Sequence, residues 1–171
     1  MDEHRYGLLP VIRRVWGLRG VRVHAPYKTT YKWGYLHEAL EVDGERSVEL
    51  FFTPAINQDI HAVFLRQIAQ SDPDSQHVVI MDQAGFHMKQ NDERVPKNIR
   101  ILSLPPYCPE LNPAEWFGQV VKAPTVSRIY ESLEKLEDHL IAIARRWCEP
   151  SKVASLIHEW MQVEANAIAR A

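Results

Sequence analysis

Two acidic side chains stand at positions where a fold can build a site. Asp82 ends the apolar run Val78–Met81, which is typical of a buried strand, and open α/β sheets place their sites at that edge. Glu115 follows Asn112 and Pro113, which predict the cap and the first residue of a helix. The 32 residues between the two acids allow one helix-and-strand excursion. Both carboxylates can therefore face one cavity, where they would offer the oxygen ligands that divalent cations prefer.

Each acid also has a simpler interpretation, in which Asp82 caps the next turn and Glu115 favours the positive end of its helix. The phrases around them distinguish the two interpretations: MDQAGFH begins at Met81, and LPPYCPELNPAEW begins at Leu104. Together they closely resemble the catalytic core of DDE transposases, in the bacterial insertion-sequence branch of the mariner-type superfamily. The resemblance covers roughly residues 2–147.

The resemblance implies a catalytic triad. In that family the strand-end Asp is the second acid, the Glu of the Asn-Pro-x-Glu phrase is the third, and the first lies in an Asp-Glu pair on the first strand. Asp2-Glu3 matches that pair. The resemblance thus implies that Asp2, Asp82 and Glu115 are the catalytic and metal-binding residues, that they hold Mg²⁺ or Mn²⁺ as two ions, and that the reaction cuts and joins DNA strands.

Two neighbours of these acids have less certain roles. Glu3 is expected to point to the opposite face of the strand from Asp2, because side chains alternate along a strand. His87 follows Asp82 by five residues. It can contact DNA, hold the site in place, or be an ordinary structural histidine with a satisfied hydrogen bond.

The charge of the chain is unevenly distributed. Residues 4–37 contain seven Lys and Arg and no acid, whereas the chain from Glu38 onward has 13 basic and 20 acidic residues. Six Tyr and Trp are interleaved with these cations, a composition typical of phosphate neutralisation and base stacking. The alternative is a solvated basic loop with its aromatic residues in the core. The predicted DNA-binding residues are Arg13, Arg14, Arg19, Arg22, Lys28, Lys32 and His87.

Length and composition limit the class of protein. The 171 residues favour one domain, interpreted as a DDE endonuclease/transposase catalytic domain spanning 1–171. Cys108 and Cys148 provide no disulfide framework, which favours a reducing compartment. No apolar run has transmembrane length and no signal peptide is recognisable, so we expect a cytoplasmic, nucleoid-associated protein without membrane contact.

The periodicity predicts the elements that must position the acids. A hairpin turns at Asp43-Gly44, a helix capped by Asn57 runs to about Gln70, and strands end near Asp82 and Leu104. The expected order is β, hairpin, α, β, α, β, α, α. The fold class is α/β, ribonuclease H-like by resemblance, with a mixed central sheet of about five strands flanked by helices.

The later helices are less regular in sequence. Gly118 and Pro124 are expected to interrupt the helix that carries Glu115. A clear helix follows over residues 131–147, and Ser151 is predicted to cap a last one that bears Trp160.

The chain departs from the family pattern at several points. It starts at Met1, where the family's first strand extends upstream, so we expect a truncated first strand and marginal stability. We also expect the protein to lack the family's N-terminal helix-turn-helix region. Cys108 stands where the family usually has Ser, and Gly118 stands where it usually has an aromatic residue. The alternative functions are a catalytically inactive or partial remnant that binds DNA or assembles without cutting, and a different ribonuclease H-like nuclease.

Double-stranded DNA, as transposon ends and target, is the expected partner. A homodimer and a separate helix-turn-helix chain from a split reading frame remain open.

Overall fold

The computed structural model describes residues 1–13, 16, 18–22, 24 and 27–158. Three strands come first in the chain, followed by one helix, two strands and three further helices. The strands are β1 (Asp2–Gly7), β2 (Trp33–Leu40), β3 (Val48–Thr53), β4 (His77–Met81) and β5 (Ile99–Ser103). The helices are α1 (Gln58–Ser71), α2 (Pro113–Lys122), α3 (Leu133–Trp147) and α4 (residues 150–158). No helix of these described residues is long and apolar enough to cross a lipid bilayer.

The predicted hairpin is confirmed. β2 and β3 pair antiparallel on either side of a turn in which Gly44 has φ 85°, a conformation that glycine adopts without steric cost. β1 pairs antiparallel with the other edge of β2, so these strands form a three-stranded sheet in the order β1-β2-β3. Asp2 lies directly opposite Glu38 in this ladder.

β4 and β5 form a separate parallel pair. The two sheets meet at the start of β1, where the Met1 nitrogen lies 2.9 Å from the Ile80 carbonyl oxygen and donates to it. This contact places β1 beside β4. Five strands are thus present as predicted, but their hydrogen bonds divide them into a sheet of three and a sheet of two.

Helices cover the three-stranded sheet on both faces. On one face α1 packs Phe64 and Leu65 into a core shared with β4 and β5. On the other face α2 and α3 pack Phe117 and Leu140 against Leu36 of β2. The side chains of successive β2 residues therefore point into opposite cores, because side chains alternate between the two faces of a strand.

The caps predicted for α1 and α2 are confirmed. Asn57 accepts a hydrogen bond from the Ile60 amide at 2.9 Å, and Asn112 accepts one from the Ala114 amide at 3.2 Å. α4 buries Val153, Leu156 and Ile157. Trp160, predicted on the same helix, lies outside the described residues.

Three local predictions were wrong. Ser151, predicted to cap the last helix, lies inside α4, which begins at residue 150. The expected helix between β4 and β5 is a loop of turns, in which the Asp82 carboxylate accepts the Ala84 amide and Arg94 binds Asp92. These side chain bonds offer the backbone an alternative to a helix. Gly118 does not interrupt α2, because the helix continues to Lys122 and ends at the turn that contains Pro124.

Candidate active site

Asp82 occupies the end of β4, as predicted. Its side chain is 61% exposed, and Oδ1 accepts the Ala84 amide at 3.0 Å. The capping role that the simpler interpretation gave to Asp82 is therefore present in the structure. It coexists with an exposed carboxylate at the edge of the sheet.

Glu115 is placed by the residue that caps its helix. The Asn112 side chain is buried, and its Nδ2 donates to the Met1 carbonyl oxygen at 2.9 Å while its Oδ1 caps α2. One side chain thereby attaches the first turn of α2 to the start of β1. Glu115 lies in that turn, close to Asp2, whereas Glu110 is exposed in the preceding short turn.

The three predicted acids line a single cavity of about 350 Å³. They come from the start of β1, the end of β4 and the first turn of α2. Other walls are formed by the proline-rich segment after β5, including Tyr107, which is fully exposed and has φ 61°. The fold therefore brings together three carboxylates that are far apart in sequence.

Asp2 has a perturbed pKa. Burial, followed by the negative charge of Glu115, raises the pKa of Asp2 from 3.8 to about 7. The cavity is therefore a place where negative charge is concentrated and costly. A cation bound there would relieve that cost.

Glu3 faces away from Asp2, as predicted, and enters a buried polar network. Its Oε2 lies 2.8 Å from His87 Nε2, and its Oε1 lies 3.4 Å from His37 Nδ1. Burial raises the pKa of Glu3, but the hydrogen bonds from the two histidines outweigh it and lower that pKa to about 2. Glu3 is therefore ionised in the folded protein.

His87 joins this network to the cavity. Its Nδ1 lies 2.9 Å from both the carbonyl oxygen and the Oδ1 of Asp82. Burial lowers the pKa of His87, yet the hydrogen bond and charge of Glu3 raise it overall. The ring is buried and both of its nitrogens are engaged, which favours holding the site over contacting DNA.

The same histidine belongs to a second group of donors. Glu3, His61 and His87 each offer an atom within 4.8 Å of the other two, a spacing that fits a metal ion. However, His61 Nδ1 accepts the Met88 amide at 3.3 Å, so its proton resides on Nε2. Glu3 and His87 already share a short hydrogen bond. This group therefore fits a proton-bridged pair better than a metal.

On the opposite face of the sheet, near Asp2, a buried glutamate and a histidine lie close together without a hydrogen bond. Glu38 is fully buried, and its Oε1 lies 3.5 Å from His4 Nδ1 in a geometry too poor for a hydrogen bond. Burial raises the pKa of Glu38 well above its ordinary value and lowers that of His4 to about 3. Gly118 leaves room for this pair, since a Cβ there would lie 2.5 Å from Glu38 Oε1.

The basic segment is largely exposed where it is described. Arg13, Arg19, Arg22 and Lys32 are exposed, whereas Lys28 donates to the carbonyl oxygens of Tyr130 and Glu131 at 2.6 and 3.0 Å. Arg14 lies outside the described residues.

The aromatic residues of that segment divide between surface and core. Trp16, Tyr27, Tyr31 and Trp33 are exposed, while Tyr6 is buried against α3 and donates to Glu137 Oε1 at 2.6 Å. Both sequence interpretations therefore hold for part of the segment.

Sequence reasoning missed three features of this site. It did not find that Glu38 is buried, that Gly118 accommodates it, or that Asn112 bonds to the first residue of the chain. Alternation along β2 was the one available signal, because Glu38 falls between Leu36 and Leu40, which face the α2 core. The other two depend on contacts across about a hundred residues.

Comparison with known proteins agrees with this architecture. The chain resembles three solved structures of Mos1 transposase: a paired-end complex with the left transposon end, a strand transfer complex, and a mariner paired-end complex with Mn. Their TM-scores are 0.63, 0.63 and 0.60 at 16, 16 and 18% identity, with 96% of this chain covered each time. The likeness confirms the ribonuclease H-like fold. The chain spans about half of each of those chains, with 53, 52 and 54% covered.

Sequence comparison identifies the family. The chain is 36% identical over 100 residues to an uncharacterized protein of Sinorhizobium fredii, y4pE/y4sA, a match that covers 56% of this chain and 73% of that protein. The family model described as DDE superfamily endonuclease matches residues 1–137, which include all three acids of the cavity. This protein therefore belongs to the DDE endonuclease superfamily.

Proposed function

We propose that this chain is the catalytic domain of a transposase, which cuts DNA strands and joins them to new sites with the aid of divalent cations. One observation carries the proposal: carboxylates from three separate segments, Asp2, Asp82 and Glu115, line one cavity. Two of them, Asp2 and Glu115, repel each other strongly enough to contribute to the raised pKa of Asp2.

The donor set fits Mg²⁺ or Mn²⁺, which prefer carboxylate oxygens and retain waters for exchange with a phosphate. Asp2, Asp82 and Glu115 would hold the cations. Two such cations, when bound, activate the attacking oxygen and stabilise the leaving oxygen of an in-line displacement at phosphorus. Asp82 is the most exposed of the three and is therefore the most accessible to a substrate.

Double-stranded DNA is the substrate that the surrounding surface fits best. Exposed cations and aromatic side chains alternate in the segment after β1, which suits phosphate contact and stacking. Tyr107 presents a fully exposed ring at the cavity, where it can stack on a base. The proposed phosphate contacts are Arg13, Arg14, Arg19, Arg22 and Lys32.

A nicking assay tests the catalytic proposal. The purified chain should convert supercoiled plasmid to the nicked form with Mg²⁺ or Mn²⁺, and Asp82→Asn should abolish that activity without changing the circular dichroism spectrum. Asp74→Asn, which makes the same change in an exposed turn, is the matched control and should retain activity. Binding of DNA without cleavage in ample Mn²⁺ would instead support a remnant that has lost catalysis.

Salt dependence tests the DNA-binding surface separately. Replacing Arg13, Arg14, Arg19 and Arg22 together with Gln should weaken binding to a duplex, and the slope of log affinity against log salt should become shallower. Each lost phosphate contact changes that slope by about one, because fewer counterions are released. A slope equal to that of the parent chain would show that DNA binds elsewhere.

A further inference from the structure

Asp82 needs a partner that fixes its direction. Its side chain is 61% exposed and follows the last residue of β4, where neither a core nor a ladder restrains it. Within the described residues, the contacts of its carboxylate involve Oδ1, which accepts the Ala84 amide at 3.0 Å and lies 2.9 Å from His87 Nδ1 as an ion pair. The same Nδ1 donates a hydrogen bond to the Asp82 carbonyl oxygen at 2.9 Å, so His87 holds both the backbone and the side chain of Asp82. Oδ2 makes none of these contacts and is left for a cation.

His87 is well suited to fix that direction because it is itself held firmly. Its side chain is only 5% exposed, and Phe86 and His61 contact its ring at centroid distances of 4.6 and 4.8 Å. Its Nε2 donates to Glu3 Oε2 at 2.8 Å. A ring with both nitrogens bonded and two other rings packed against it is held in one orientation.

Glu3 is anchored in turn from the far side. His37 lies 3.4 Å from its Oε1, and His37 Nε2 lies 3.1 Å from Thr53 Oγ1. The Thr53 hydroxyl in turn donates to the Ala55 carbonyl oxygen at 2.7 Å. A continuous buried chain of polar groups thus runs from the end of β3, across β2 and β1, to the acid at the end of β4.

We propose that His87 is a positioning residue, which orients the Asp82 carboxylate toward the cation site, and that Glu3 is its buried anchor. The inference rests on the proposed function, because it assumes that Asp82 binds a cation. It gives Glu3 and His87 a shared role. Glu3 is next to Asp2 and His87 is five residues after Asp82, so the contact between them connects the two strands that carry these acids. Partners that orient a metal ligand typically change metal affinity about 10–100-fold when removed.

Two substitutions of His87 separate its two contacts. The amide nitrogen of Asn lies about where Nδ1 lies, so His87→Asn keeps a donor for Asp82 but cannot reach Glu3. The amide of Gln reaches about as far as Nε2, so His87→Gln keeps the contact with Glu3 and loses the one with Asp82. Calorimetric titration with Mn²⁺ should show at least about a tenfold loss of affinity for His87→Gln and a clearly smaller loss for His87→Asn.

Two further variants calibrate the experiment. Leu140→Val trims a fully buried side chain on the opposite face and should lower the melting temperature without weakening Mn²⁺ binding. Asp82→Asn should abolish strong binding. If it does and His87→Gln binds Mn²⁺ like the parent, the inference is overturned and the proposed function stands. Equal losses in His87→Asn and His87→Gln overturn the inference too. Unchanged binding in Asp82→Asn overturns both the inference and the proposed function.

A measurement on the parent chain covers the case in which His87→Gln does not fold. Titration with Mg²⁺, followed by NMR of ¹⁵N-labelled histidine rings, should shift the Nδ1 resonance of His87. The resonances of His77, at the opposite end of β4, should stay constant. An unmoved His87 Nδ1 resonance at saturating Mg²⁺ would overturn the inference.

Discussion

The two faces of the three-stranded sheet each bury one glutamate, and the two glutamates differ in their hydrogen-bond donors and in their charge. Glu3, on the α1 face, is surrounded by His87 and His37 and is ionised. Glu38, on the α2 face, accepts no hydrogen bond from the described residues, and burial favours its protonated form. Burial alone therefore does not set the charge of a carboxylate; the donors that reach it decide.

The difference has consequences for the site between the two faces. The satisfied network around Glu3 holds the direction of Asp82 through His87. Burial and the negative charge of Glu115 raise the pKa of Asp2, which lies opposite the unsatisfied Glu38 in the ladder. The satisfied face thus contributes geometry to the cavity, while the electrostatic demand for a cation arises between Asp2 and Glu115.

The largest expected effect comes from neutralising the satisfied face. The folded-state pKa of Glu3 is lowered from 4.5 to about 2, so this group stabilises the fold above pH 4.5 and loses that contribution as the pH falls toward 2. Glu3→Gln should therefore lower the free energy of unfolding by about 3 kcal/mol at pH 7, by proton linkage. Urea unfolding at pH 7 and pH 3 measures it, and the deficit should be smaller at pH 3. Glu45→Gln, in the exposed hairpin turn, should change little.

A smaller loss is expected from filling the space beside Glu38. Alanine at position 118 would place its Cβ 2.5 Å from Glu38 Oε1 and 2.9 Å from His4 Nδ1. Gly118→Ala should therefore destabilise by about 1–3 kcal/mol, as overpacked cores do, although alanine normally favours a helix. Gly85→Ala, where a Cβ meets nothing within 4 Å, is the control in thermal melts. Adding Glu38→Ala to Gly118→Ala should restore part of the loss, and strictly additive effects would contradict the contact.

A change of opposite sign is expected at the unsatisfied face. The folded-state pKa of Glu38 is raised, so this group stabilises the fold below its unfolded pKa and loses that contribution as the pH rises. Glu38→Gln should therefore raise the melting temperature at pH 7 and have little effect near pH 4. If Glu38→Gln and Glu3→Gln shifted the melting temperature in the same direction at pH 7, the contrast between the two faces would be wrong.

The smallest effect extends the contrast to the basic segment. The ammonium group of Lys28 donates hydrogen bonds to the carbonyl oxygens of Tyr130 and Glu131, whereas Lys32 is exposed. Lys32→Gln should make the salt dependence of DNA binding shallower by about one counterion. Lys28→Gln should leave that slope nearly unchanged and lower stability slightly. A larger slope change for Lys28→Gln would show that its ammonium leaves the carbonyls to meet phosphate.

The sequence by itself determined the elements and the acids at their ends. The caps at Asn57 and Asn112, the turn at Gly44, and the strand that ends before Asp82 depend on residues only a few positions apart. Local capping and periodicity therefore predict them. The phrases around Asp82 and Glu115 also identified the family, which the match over residues 1–137 confirms.

Only the tertiary structure decided which side chains of those elements contact one another. Glu3 meets His87 across 84 positions and Asn112 meets Met1 across 111, and no local pattern encodes either pair. Gly118 stays within α2, and only the packing shows why this position suits a glycine: a Cβ there would lie 2.5 Å from Glu38 Oε1. These contacts depend on which faces of the elements pack together. A glutamate is therefore ionised on one side of the sheet, at Glu3, and protonated on the other, at Glu38.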